Sequence, residues 1–449
     1  KGLTINQDAT VTATEGNATL KGSSIEQNGT VKAKQNATLE GGTVTNSGSV
    51  TSTEGKVGVN ASDKFTNTAT GNLTGKTDVA ITANDADVAG KVTAETGKAS
   101  VIAQNKATIS GAVSGQDVEL EGKKGLTINQ DATVTATEGN ATLKGSSIEQ
   151  NGTVKAKQNA TLEGGTVTNS GSVTSTEGKV GVNASDKFTN TATGNLTGKT
   201  DVAITAKDAD VAGTVTAETG AATISATNNL SIKEGSQVSG ANVGLKAGEN
   251  LNIAENARVT ATKGDVNLEG KNITNVGIVT AKGKIITKRG NFKNNDLIEG
   301  KKDTLKADEN LKKGKIVTKN NGLIKGKKGT IVLENPNAII SNTKDTSTLD
   351  LIDSFNVINR EVRPSLRANE ITLHQFGDAK IVNLFNDGRK VSKVTSIISN
   401  GSACNTDLDD LLASCITKNS MHKGQYHEVF SGKVQKGNVD SVGKSLKSR

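Results

Sequence analysis

Two places in the sequence hold carboxylates near enough to act together: Asp85 with Asp87, and Asp117, Glu119 and Glu121 at alternate positions of one run. Paired carboxylates beside Lys or Arg can do acid–base work on a sugar chain. Such sites usually add aromatic platforms and a loop-built cleft, and no Tyr or Trp accompanies these residues. A carbohydrate-cleaving site in residues 1–340 is therefore disfavoured. A different chemistry is suggested by the lysines of 282–328, among them Lys301, Lys302, Lys312, Lys313, Lys327 and Lys328. At outward positions of stacked strands they would form a positive strip for sulfated glycans, lipopolysaccharide phosphates or nucleic acid, unless they simply solvate that face. Only Phe292 lies among them, which argues against a stacking platform for single strands and against specific nucleic-acid recognition. Near the C-terminus, Cys404 and Cys415 form a disulfide or remain two buried thiols. His422, His427 and Glu428 carry side chains used for metals or proton transfer, but scattered in a polar tail they read equally as solvated. No catalytic, metal or cofactor set can be assigned, so the chain reads as non-enzymatic, with 341–449 the only part left open.

The residues that must position any of these groups are small. The 449-residue chain has 50 Gly, 2 Pro, 7 Phe, 1 Tyr and no Trp. An ordinary globular core needs large side chains that this composition lacks. Small β-formers and turn residues suit a narrow repetitive architecture in which each layer buries a few Val, Ile, Leu or Ala on the next. Of the formal net charge of +8, the excess sits in 282–328, which carries 15 basic against 5 acidic residues, whereas 1–281 carries 24 against 28. No run of about 18 apolar residues exists, so no transmembrane helix is expected. The chain opens on Lys1 with no signal-peptide pattern, which reads as an internal or C-terminal fragment.

Residues 1–83 recur unchanged at 124–206, an offset of 123 that duplicates the block 1–123 as 124–246. Inside it a shorter period runs through NATLKG, NATLEG, KVGVNA, DVAITA, KASVIA and DVELEG. These strings place Leu20, Leu39, Val59, Ile81, Val101, Leu120 and Leu143 in one register, at steps of 19, 20, 22, 20, 19 and 23 residues. Apolar and polar residues alternate around each anchor, and a second short strand follows a Gly or Asn turn. A 20-residue unit of short strands cannot bury its apolar side alone, but stacked copies can. The expected fold is all-β, a right-handed parallel β-helix of about 20-residue coils with a small mixed C-terminal segment. Further anchor candidates are Val243-Gly244-Leu245, Val266-Asn267-Leu268, Ile285-Ile286 and Ile331-Val332-Leu333. Asp78, Lys98 and Asp117, three residues before successive anchors, should stack as a ladder of alternating charge. Thr-x-Thr pairs such as Thr10-Val11-Thr12 do not recur at one coil position in this alignment, which speaks against a flat hydroxyl face.

The coil pattern resembles the filamentous haemagglutinin family, the large exoproteins of bacterial two-partner secretion. The resemblance rests on Gly42-Thr43-Val44-Thr45-Asn46-Ser47-Gly48-Ser49-Val50, its copy from Gly165, and Asn272 to Ala281. It covers about 1–340, and the family's N-terminal secretion domain is not among these residues. The resemblance implies export through an outer-membrane transporter barrel, a secreted or cell-surface location, and an adhesive shaft that attaches to host or neighbouring-cell glycans or other anionic polymers. An alternative within the family is a toxin-delivery shaft whose last 110 residues are the effector. Some relatives carry sugars on Asn-x-Ser/Thr, as found here at Asn17, Asn36 and Asn272. The domain reading is a shaft at 1–340 and a separate cap or tip at 341–449. There, Asp407 to Ser414 reads as a short helix, and Glu370 to Leu373 and Lys380 to Phe385 as strands.

Overall fold

The computed structural model describes residues 1–294, with side chains through 287, and beyond them only separate strands between Ile298 and Cys404. It is an all-β parallel solenoid of about 14 turns, about 21 residues apart, with no helix among the described residues. The chain falls into two compact units, Lys1–Ile224 and Ser225–Arg449.

Each coil of the first unit contributes one long strand, or two shorter ones, and then one strand of four residues. Typical are Ala37–Asn46 followed by Ser49–Ser52, and Val57–Asn67 followed by Asn72–Gly75. Every strand pairs in parallel with its equivalent in the coils before and after. The backbone polar groups of one coil are thereby satisfied by its neighbours rather than within itself. The anchor column is continuous: Leu20 faces Leu39, Leu39 faces Val59, Val59 faces Ile81, and the line continues through Val101 and Leu120 to Leu143. All are buried, the most exposed of them only 5% accessible.

Space in this narrow core is shared between coils. Phe65, fully buried, lies in register with Val44 on one side and Ala86 on the other. Its copy Phe188 is framed by Val167 and Ala209. The coil carrying each Phe has an extra residue bulged out between Ala61 and Lys64, or between Ala184 and Lys187.

Turn length explains the uneven steps of the repeat. Between long and short strand, most coils use two residues, as at Asn28-Gly29, Ser47-Gly48 and Ser110-Gly111. Others use four, closed by a turn hydrogen bond such as Ala9 N to Asn6 O (3.0 Å) or Gly71 N to Thr68 O (2.9 Å). The step of 22 contains the four-residue turn at 68–71 together with the bulge, and the step of 23 contains the turn at 129–132.

In the second unit the same pairing runs through Val243↔Val266 and Leu245↔Leu268. Gly235 and Asn256, at φ 72° and 59°, turn two of its corners in the left-handed region that Gly and Asn tolerate. The expected run Ile285-Ile286 joins the stack but does not supply the residue of the Leu268 column. Ile285 faces Val266, and the residue facing Leu268 is Thr287, which in turn faces Leu305 and, through it, Leu333. The core position that is Leu, Val or Ile in the coils before it thus carries a buried hydroxyl with no hydrogen-bond partner. Farther on, Glu370–Ile371, Leu373–Gln375 and Phe385–Asn386 are strands, whereas Asp407 to Ser414 lies outside the described residues.

Candidate functional site: the ladders and ribbons of the solenoid surface

The surface is built from columns, because every outward position repeats at the rise of one coil. The clearest column lies at the corner three residues before each anchor. Asn17 Oδ1 accepts the backbone N–H of Asn36 (2.9 Å), and Asn36 Oδ1 accepts that of Lys56 (3.0 Å). The same bond runs from Lys98 N to Asp78, from Asn140 N to Asp117, from Asn159 N to Asn140 and from Ala221 N to Asp201, at 2.7–3.1 Å. In the second unit Asn242 and Asp265 receive Asp265 N and Lys284 N in the same way.

Asp78, Lys98 and Asp117 do fall in one column, Lys98 directly opposite Asp117. The column is not an ion-pair ladder, however. Its carboxylates accept backbone N–H groups, and the Lys98 ammonium turns to Glu119 instead. Acceptor geometry, which Asn and Asp share, decides what occupies the corner, and charge is incidental to it.

Inside the coil, below the opposite corner, runs a second column of amides. Gln27, Asn46 and Asn67 are fully buried, as are their copies Gln150, Asn169 and Asn190. Asn46 Nδ2 donates to Asn67 Oδ1 (2.7 Å), and Asn67 Nδ2 donates to the carbonyls of Gly71 and Lys91 (3.2 Å each). Sequence reasoning missed this column; the recurring Asn or Gln just before each Gly turn was its available signal.

The short strands expose two ranks of side chains on one face. The inner rank reads Thr12, Lys32, Thr51, Thr74, Thr93, Ser114 and Thr135 in direct register. Hydroxyls therefore recur at this coil position except at Lys32, whereas the Thr-x-Thr pairs do not, since the other rank passes through Asn72, Lys91 and Ala112. The variable turns shift their spacing along the chain and hide the column from a linear reading.

Residues 121–255 match the family model described as Hemagglutinin repeat. Over those residues the chain is similar to hemagglutinin repeats, which is consistent with a filamentous haemagglutinin-type protein. Neither a curated protein nor a solved structure matches it. Hemagglutinin-repeat proteins are associated with two-partner secretion, are typically secreted or surface-exposed, and are structural or adhesin-like rather than enzymatic. No helix among the described residues is long and apolar enough to cross a membrane.

Several carboxylates of the coils are engaged by neighbours. Asp87 pairs with Lys64 at 2.6 Å, and that hydrogen bond and charge hold the Lys64 pKa above its ordinary value of 10.5. Asp85 Oδ1 accepts the backbone N–H of Lys106 (3.2 Å). Glu119 lies against Lys98 and, at 3.9 Å, Lys144. Glu138 likewise raises the pKa of Lys157 by hydrogen bond and charge. No described group of His, Cys, Asp and Glu is placed to hold a metal ion. Of the sequon residues Asn17, Asn36 and Asn272, the first two serve the corner ladder, and Asn272 donates to Asn250 Oδ1 (2.9 Å).

Lys302 opens the strand Lys302–Ala307, and Cys404 ends the strand Ser402–Cys404, but their side chains are outside the described set. Lys301, Lys312, Lys313, Lys327, Lys328, Cys415, His422, His427 and Glu428 lie outside the described residues altogether.

Proposed function

We propose that this chain is the shaft of an exported adhesin, with 1–340 forming the solenoid and 341–449 a separate cap or tip, and that it attaches cells to host or neighbouring-cell surfaces. The observation that supports this most is the repeated block: each copy keeps the same corner and interior hydrogen bonds, so the coils serve as a spacer that extends without a new interface. The match to the hemagglutinin repeat adds the family context of export through a partner barrel.

Displayed from a bacterium that carries a matching transporter, the chain should raise adherence to epithelial or bacterial layers several-fold over a transporter-only strain. Equal adherence by the two strains would reject the adhesive role. Part of that attachment is assigned to the positive strip of Lys301, Lys302, Lys312, Lys313, Lys327 and Lys328. Its binding to heparin should fall steeply with salt. Cys404 and Cys415 are proposed to be joined by a disulfide, which a mass shift on reduction and alkylation would reveal.

A further inference from the structure

In the first unit the turn lengths follow a pattern that makes a recess. The four-residue turns 129–132 and 191–194 stand proud of the coil, and the two coils between them use the short turns Asn151-Gly152 and Ser170-Gly171. The short turns cannot swell, because a Cβ on Gly152 would drive into the carbonyl oxygens of Asn129 and Ala132, and one on Gly171 into that of Gly152. The walls are three coils apart, roughly 14 Å at the spacing of paired strands.

The recess is open to solvent, with a volume of about 840 Å³, and is lined by Ser110, Asn129, Gln130, Asp131, Asn151, Ser170 and Thr193. Internal bonds fix its rim: Asn129 Nδ2 donates to Ser110 Oγ (2.6 Å) and Thr193 Oγ1 to Ser170 O (2.7 Å).

We propose that this recess is a binding site for a linear neutral polysaccharide, and that the chain carries it twice. The lining offers amides and hydroxyls, which both donate and accept, as sugar hydroxyls do. It has no aromatic or apolar wall for a peptide anchor. Its one formal charge, Asp131, repels polyanions, which separates this site from the basic stretch. The same 4-2-2-4 order of turns occurs at 6–9, 28–29, 47–48 and 68–71, with Thr70 Oγ1 donating to Ser47 O (2.8 Å). Six strand pairings separate Thr10–Ala13 from Thr133–Ala136, which puts the two recesses roughly 29 Å apart on one unit. One long polysaccharide can engage both, so the second contact is intramolecular and affinity rises by avidity.

The inference rests on the attachment reading and names its ligand class. Its test uses the whole chain on an array of neutral polysaccharides, such as dextran, mannan and galactan, beside heparin. Ser47→Trp and Ser170→Trp each fill one recess, and Glu163→Trp, on another face, is the control. Each single filling should weaken neutral-polysaccharide binding about 100-fold through lost avidity, and the pair should abolish it. Should the Trp variants melt early, Gln7→Ala with Gln130→Ala, both exposed, should reduce binding about tenfold without a change in melting. Neutral polysaccharide bound equally by the paired variant, or heparin bound alone, overturns the recess as the site. Array binding lost in the paired variant with cell attachment intact keeps the recess as the site and assigns attachment to the basic strip. Array binding without any cell attachment removes the adhesive reading and keeps the recess.

Discussion

Asn46 and Asn67 join side chain to side chain inside the solenoid at 2.7 Å, one coil apart, in a buried column that passes from amides to Val88 and Ile109. Asn67 is the pivot, because its own amide also holds the carbonyls of Gly71 and Lys91. Asn67→Leu should leave several buried polar atoms unpaired and cost about 3 kcal/mol. Urea unfolding gives that figure, and the matching change at Asn190 should cost the same, since Asn190 Nδ2 holds Gly194 and Thr214 alike.

At the corner ladder, Asp78→Asn should be neutral within about 0.5 kcal/mol, whereas Asp78→Ala should cost about 1 kcal/mol and speed hydrogen exchange at Lys98 N. Equal losses for both variants would mean that charge matters there after all.

Phe65→Ala should open a cavity between Val44 and Ala86 and cost roughly 3–5 kcal/mol. Refilling by Ala86→Leu in the same chain should recover part of it, an interaction that a double-mutant cycle measures.

Thr287→Val should stabilise the second unit by about 1 kcal/mol, because it removes a buried hydroxyl that has no partner and keeps the volume. A lower unfolding midpoint would show that the hydroxyl is satisfied in solution.

The Lys64 and Asp87 pair sets an alkaline limit. Since folding raises the Lys64 pKa, its contribution is complete below about 10.5 and is lost as pH climbs through the raised value. Both groups are about half exposed, so the loss should not exceed about 1 kcal/mol. Lys64→Met should flatten that part of the stability profile.

The fold was largely legible because the anchor residues alternate strictly and their column passes unbroken from Leu20 to Leu143. Core alternation survives insertions, since each strand restarts it. What the sequence concealed lies at the turns. Two extra residues at 68–71 or 129–132 change the count along the chain without changing the stacking. The threonine rank and the recess, which depend on position across coils, were therefore scrambled in a linear reading. Thr287 shows the reverse error. Ile285 and Ile286 looked like the anchor because they are apolar, yet pairing with Val266 to Leu268 puts the polar Thr at that place. The positive strip rested on composition alone, which states how many lysines a segment has but not which way they face.

Identity between 1–83 and 124–206 also has a consequence for heredity. A crossover between the two copies deletes or adds 123 residues, a whole number of coils, and every seam it creates is one the protein already contains. The gene can therefore lengthen or shorten its product in a single event, with recesses gained or lost in step, and each progeny length folds by the same rules.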